Sequence, residues 1–577
     1  MRILLSLRTI LFGIALTGCI QSHELWATEI LDTLDLDVTF IGDREVLLQD
    51  AHKQLHWPEA SSLQKAKPTF SYSMLPKRLN VQPEWKRNGP VRLRVDQPLP
   101  RLYQGFVQAG LGNFISPSLD FSYTDLRSRQ GTWGIRGTHH SSQGGYADID
   151  SIDDRFSSNS AEIWAKRFYG KEAVELSTHF KRERNSYFGG DTAFSVSSFP
   201  AFMRYNVAGL RLAVQNFNAD STDIRHNATL SYDYLWNGDT LREHNFDMGL
   251  KLNSFVEDVP VSLYLHANID QFNITPGEGN PTNAKQAVID LHPSIQHKAG
   301  KISTRLGLGL WVDAQGNTPF LIVPEAEASI SLLRDLFIPY VLIEGGVRQN
   351  RYQTVLGDNP FISSLIEDTL RNTYEKIHLQ AGLRGSITKA FVFHLSASHE
   401  RFDQFLLWSS NLESHGKTIA PLFRDMNRSS IQADATWQLD EQFTLIGSIQ
   451  KSVYNFRDDS LSSAWNLPTF QTEIGAVYTW KEKVRFSSQL AVQTGRLTLQ
   501  SWGDADSESI YSTSDDFLGF QSELGAYAQW NAQVEYLYNG RLSGWVHFDN
   551  LLNRPNRFLP GYNSQKFRFQ MGVSYAF

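Results

Sequence analysis

An all-β fold, a large antiparallel transmembrane β-barrel of about 22 strands (about 18 to 24) behind an extended N-terminal segment, is predicted by three observations. The chain ends on unbroken alternation, with Phe577, Tyr575, Val573, Met571, Phe569 and Phe567 set against Ala576, Ser574, Gly572, Gln570, Arg568 and Lys566. Amphipathic runs of the same period recur from residue 101 onward, and the links between them are alternately short and long. A period of two belongs to a strand. Roughly nine to eleven tilted residues carry a strand across a bilayer, so one face reads toward lipid and the other toward a lumen.

Composition agrees. After the N-terminus there is no run of about eighteen apolar residues, which excludes helical spans. Strand spans hide from such a search because half of each strand is polar. Aromatic residues make up 12% of the 577, with 36 Phe, 21 Tyr and 14 Trp, a supply that suits interfacial girdles. A net charge of -7 argues against a nucleic-acid partner.

Residues 1–27 read as a secretory signal peptide, basic up to Arg8 and apolar from Thr9 to Gly18. Two cleavages fit. Leu16-Thr17-Gly18-Cys19 resembles a lipoprotein box, in which Cys19 would be lipidated; the alternative cut follows Ala27. Residues 28–100 form an extended segment, expected in the periplasm or threaded into the lumen. Pro58, Pro68, Pro76, Pro83, Pro90, Pro98 and Pro100 forbid long regular elements there. The basic cluster from Lys77 to Arg94 reads as a solvated linker.

The barrel is expected over residues 101–577. Charges recur on the polar face of successive runs, at Asp120, Arg136, Glu175, Lys181, Asp247, Lys251, Asp270 and Arg305. A packed soluble core does not tolerate that, whereas a hydrated lumen does, so these eight are expected to line it. Short turns fall near 170–172, 256–258, 297–300, 334–335, 386–389, 439–441, 480–483 and 539–540. Longer polar links fall near 140–158, 186–199, 271–283, 350–372, 403–428, 455–468, 497–526 and 551–565. Short periplasmic turns with long outer loops mark an outer-membrane barrel. The last strand descends to the periplasm and the first, near 102–112, rises from it, so the count is even; residues 201–217 then make one long, bulged strand.

The end of the chain carries a resemblance. Asn550-Leu551-Leu552-Asn553, Pro560-Gly561-Tyr562 and the run to Phe577 resemble the last loop and strand of TonB-dependent receptors. Gly110-Leu111-Gly112-Asn113, Ser116-Pro117 and Asn359-Pro360-Phe361 resemble a short, plug-lacking group classed with them. The resemblance implies that Tyr575 and Phe577 form the signal read by the barrel-assembly machinery. It also implies a TonB-box-like segment at Leu34, Asp35, Leu36, Asp37, Val38, Thr39, Phe40 and Ile41, which would pair as an added strand with an energising partner. The departure is the space before the barrel, too small for the family's globular plug.

Other clusters carry less. Asp504, Asp506, Glu508, Asp515 and Asp516 lie in a long outer link beside Trp502 and Tyr511, without the central glycine and closing Glu of a calcium loop. His139 and His140 are adjacent, so a strand aims them to opposite faces and they cannot act together. Gly416-Lys417-Thr418 lacks the upstream glycine of a phosphate loop. No metal ligand set, cofactor or catalytic residue is read. The expected function is ligand binding and uptake across the bacterial outer membrane, without enzymatic chemistry. The alternatives are a structural or assembly barrel recruiting a periplasmic partner through its N-terminal arm, or a porin-like channel. Expected partners are outer-membrane lipid, an unidentified extracellular ligand, and TonB or another envelope protein. A barrel of this size needs something in its lumen: the N-terminal segment, inward-folded loops or another protein.

Overall fold

The computed structural model describes residues 103–577 apart from 126–127, 129, 147–152, 191–200, 218–223, 239, 276–281, 315, 317, 363–369, 412–413, 458–462, 501–507 and 512–516, and apart from the side chains of 508–511 and 517–518. Cys19, the segment from Leu34 to Ile41, the whole of 28–100, and Asp504, Asp506, Asp515 and Asp516 therefore lie outside the described residues, as does the side chain of Glu508.

Alternation builds the staves. They begin with β1 (Gly105–Gly112), β2 (Ser118–Thr124), β3 (Gly131–Ser142), β4 (Phe156–Tyr169), β5 (Glu172–Ser186), β6 (Phe202–Asn216) and β7 (Arg225–Asn237). Next come β8 (Leu241–Val256), β9 (Val259–Ile274), β10 (Thr282–Ala299), β11 (Ile302–Asp313), β12 (Phe320–Ile330) and β13 (Ile338–Arg348). One short helix, α1 (Tyr352–Asp358), precedes β14 (Thr373–Thr388), β15 (Phe391–Ser410), β16 (Ile419–Gln438), β17 (Phe443–Phe456), β18 (Phe470–Trp480) and β19 (Val484–Thr494). Within one long link, β20 (Leu497–Gln500), β21 (Glu508–Tyr511) and β22 (Phe517–Glu523) form a separate three-stranded sheet. The barrel resumes with β23 (Tyr527–Leu537) and β24 (Leu542–Asp549), passes the ribbon β25 (Arg557–Leu559) and β26 (Tyr562–Asn563), and ends with β27 (Arg568–Ala576).

Each stave pairs antiparallel with the next, and β27 also pairs with β1, Val107 opposite Tyr575, so the 22-stranded sheet closes on itself. Closure removes both sheet edges, which lipid requires because no water is present there to satisfy bare backbone groups. The outward row of nearly every stave is apolar and open. Ile163, Leu230, Leu306, Val341, Ile431 and Val573 are 47–67% exposed. Such a belt is a liability in water and the buried face in a bilayer. Exposed Trp133, Tyr169, Trp437, Trp480, Tyr536 and Phe577 all stand at the short-turn end, as a girdle at one interface.

The eight short turns lie where the spacing predicts. Two details differ. The 403–428 link is only the turn at 411–418, since β15 and β16 run on to Ser410 and from Ile419 with mixed apolar and polar residues that still pair. The stave over 201–217 carries no bulge, because β6 pairs with β5 and β7 without a register shift.

At the seam, β1 and β27 meet through glycines. A Cβ on Gly572 would lie 2.2 Å from the Ala109 carbonyl oxygen, and one on Gly110 would lie 2.4 Å from the Trp545 ring. The Trp545 indole on β24 therefore lies across two bare staves, filling the space their missing side chains leave. The last residue completes the ladder: Phe577 N–H donates to the Gly105 carbonyl at 2.9 Å and its own carbonyl accepts from Gly105 at 3.0 Å.

Candidate functional site: lumen wall and outer lid

The link after β13 does not stand out into solvent. Its helix α1 turns Tyr352, Val355 and Leu356 to one face, the i, i+3, i+4 pattern, and all three are buried. A helix start leaves N–H groups unpaired and gathers positive partial charge. Arg351 provides no side-chain cap. The barrel wall supplies it: the buried Glu243 carboxylate on β8 accepts the Tyr352 N–H at 2.6 Å and the Gln353 N–H at 2.8 Å.

Other links converge on the same place. Phe361 stacks on Tyr562 of β26 with centroids 3.7 Å apart, and Phe188 of the β5–β6 link meets the Tyr562 ring edge-on at 4.9 Å. Ile362 pairs with Ile419 at the head of β16, and the Tyr562 hydroxyl donates to the Lys417 carbonyl. Close approach is made by Gly189 and Gly190: a Cβ on the first would meet the Tyr562 ring at 2.5 Å, and the second has φ +93° beside the His415 carbonyl. From the wall, Leu235, Leu241, Phe272 and Ile274 complete one apolar cluster with these loops. The outer ends of β7–β9 are thus joined to the β15–β16 and β24–β27 links by a lid of packed side chains.

Below the lid, the register sets Asp120, Arg136, Glu175, Lys181, Asp247, Lys251, Asp270 and Arg305 on the face opposite the exposed apolar rows. The structure joins several of them to near neighbours rather than to one another. Glu175 pairs with Lys166 at 3.3 Å, Lys181 with Glu183 at 3.1 Å, and Arg305 with Glu327 at 3.4 Å. Asp270 accepts from Asn245 at 3.4 Å. Asp247 opens a longer chain, facing His266 Nε2 at 2.7 Å; His266 Nδ1 faces Asp290 at 2.8 Å, Asp290 faces His292 Nε2 at 2.7 Å, and His292 Nδ1 lies 3.4 Å from Glu325. Three carboxylates and two imidazoles thus alternate along the wall. Sequence reasoning named only the first member. The signal was there, since His266 sits at the polar phase of its stave, but its partners sit on other staves and only register brings them together.

His139 and His140 face opposite sides. His139 Nδ1 lies 2.7 Å from Asn159 Oδ1 on the outer surface, while His140 Nε2 lies 3.0 Å from Arg568 Nη1. Arg568 also donates Nε to Asp549 at 2.8 Å, and His547 lies 2.8 Å from the other oxygen of Asp549, which ties β27 to β24 and to β3. Gly416-Lys417-Thr418 is an ordinary hairpin turn closed by Asn411 N–H to Thr418 carbonyl at 2.9 Å. Tyr575 and Phe577 are exposed on the outside of β27, with ring centroids 6.1 Å apart.

No protein-family model and no curated protein matches the sequence. Solved structures do match in fold. The copper transporter OprC is similar with a TM-score of 0.60 at 12% identity, over 83% of this chain and 82% of its own. The FrpB iron transporter from Neisseria meningitidis gives 0.62 at 10% identity over the same shares, 83% and 82%. The pyoverdine outer membrane receptor FpvA from Pseudomonas aeruginosa gives 0.59 at 10%, over 83% and 79%.

Proposed function

We propose that this chain is an outer-membrane barrel that captures a ligand at its outer face and admits it through the charged lumen, in the manner of the TonB-dependent receptors it resembles. One observation carries the reading: a closed 22-stranded barrel whose outer mouth is covered by its own loops above a wall of paired charges. A passive pore needs no such lid, and barrels of this size are otherwise plugged. The neighbours are described as copper and iron transporters and as a receptor bound to pyoverdine, which supports a metal-bearing or chelated ligand here. In this reading the lid takes over part of a plug's work, the chain is a plug-lacking member of that group, and no reaction is catalysed. The segment from Leu34 to Ile41 engages TonB or another envelope protein, and Tyr575 with Phe577 serves assembly.

Planar-bilayer conductance tests this. The full chain is expected to be closed, and a variant with 349–372 replaced by a short turn is expected to conduct. Silence of that variant, and of one lacking 28–100, would overturn the uptake reading and leave a structural barrel that recruits a partner through its arm. Partner binding is separate: if substitutions across 31–41 leave every co-purified envelope protein bound, that segment is not the contact.

A further inference from the structure

Toward the outer ends of β13 and β14 and midway along β15, three glutamates surround one imidazole. Glu344 Oε1 and Glu375 Oε1 lie 3.3 and 3.6 Å from His378 Nδ1, and Glu400 Oε1 lies 3.7 Å from its Nε2. Residues 375 and 378, three apart, would face opposite sides of an unbroken strand. They share a side because the β14–β15 register shifts between Glu375 and Ile377, and the β13–β14 register shifts alongside, between Glu344 and Gly346. Bulges of this kind re-aim side chains beside functional sites.

Glu344 lies within hydrogen-bond reach of this histidine, while its two other carboxylates stand farther off than those of His266. His266 and His292 meet Asp247 and Asp290 at 2.7 to 2.8 Å, which is hydrogen-bond length. At 3.6 and 3.7 Å, Glu375 and Glu400 stand too far from His378 to bond it directly. Two donors that each bind one ion at about 2.1 Å in tetrahedral arrangement lie roughly 3.4 Å apart. Glu375 and Glu400 approach different ring nitrogens, so a single ion takes one of the two; one nitrogen and one oxygen from each carboxylate all fall within 4.8 Å of one another.

The surroundings fit as well. Glu400 accepts a hydrogen bond from Arg428 Nε on its other oxygen, Oε2, which fixes the carboxylate with Oε1 toward the imidazole. Such outer partners orient metal ligands. With the three carboxylates ionised, this single guanidinium leaves two negative charges for one divalent ion to offset. His378, Glu344 and Glu375 remain about one-fifth exposed, so an ion from the lumen can reach them.

We infer that Glu375, His378 and Glu400, with Glu344 beside them, form a binding site for one divalent first-row transition-metal ion of the Zn2+ type. An imidazole among carboxylates suits such an ion, whereas Ca2+ and Mg2+ take oxygen ligands alone. The ion binds to the wall itself, and the inference stands without the uptake reading: a barrel electrically silent in every variant can still titrate Zn2+.

The test is isothermal titration of Zn2+ into the full chain purified in detergent, with Ca2+ as the control. One saturable Zn2+ per chain is expected, no comparable Ca2+ binding, and at least a roughly tenfold weaker affinity in Glu375→Gln and in His378→Gln. Copper substitution gives a second readout, an electron paramagnetic resonance spectrum with coupling to one nitrogen that vanishes in His378→Gln. Each variant must keep the heat-modifiable mobility of a closed barrel on gels. The proposal fails if the wild-type chain binds no Zn2+, if the double variant Glu375→Gln/His378→Gln binds it as tightly, or if the substitutions change only the unfolding temperature, as a purely electrostatic cluster would.

Discussion

Single side chains here decide whether a loop is docked or loose. Glu243 is the sharpest case, because one carboxylate holds two backbone N–H groups that would otherwise be buried unpaired. Glu243→Ala is expected to cost on the order of 1–3 kcal/mol of lid stability, read as faster hydrogen exchange across 349–362 with the staves unchanged. The β3–β4 link has a comparable pin. Asp153 binds Arg155 Nε at 2.8 Å and Arg184 Nη2 at 2.9 Å, and those guanidiniums, Arg155 first, hold its carboxyl well below the usual carboxylate range. A depressed folded-state value means that stability is fully present above the unfolded value of about 4 and is lost as pH falls through the folded one. Exchange protection around 153–155 should therefore be flat from neutral pH down to about 5 and decline only in stronger acid, while Asp153→Asn should be loose throughout.

Elements are held by what their neighbours lack. Gly110 and Gly572 leave room for one indole, so Gly572→Val would drive a side chain into the Ala109 carbonyl at the seam. Reduced yield of the heat-modifiable closed form is the expected result, whereas Val573, exposed to lipid on the same stave, should accept Leu with little change. Asp549 is the polar counterpart, since it satisfies a nearly buried Arg568. Asp549→Ala strands that cation and should cost about 3–5 kcal/mol, seen as an earlier loss of compact mobility on heating. Staves of this kind were legible in the sequence because lipid enforces alternation one residue at a time, as Met571, Val573 and Tyr575 against Gln570 and Ser574 show. Helix α1 was not: its three apolar contacts sit in a seven-residue element too short to announce itself, within a link that reads as polar. Glu375 was hidden by the bulge that turns it toward His378.

Across the whole molecule, the barrel was readable from turns and parity, while the mouth depends on contacts between links far apart in the chain. Tyr187, Phe361 and Tyr562 belong to three different links, and Ile419 heads β16. The double variant Phe361→Ala/Tyr562→Ala should therefore leave the 22-stranded wall intact yet turn a silent channel into a flickering one, measured as current bursts in a bilayer. The pairings that join Glu175 to Lys166 or Asp247 to His266 were not legible in the sequence, because they depend on register. Tyr562 also has a bearing on time. It lies in the link that leads into β27, so the same final hairpin that closes the seam delivers the ring that completes the lid. Contacts so distant in sequence form late. A chain caught before that hairpin is laid down would be unsealed both sideways to lipid and outward to the medium, and the two leaks would stop together.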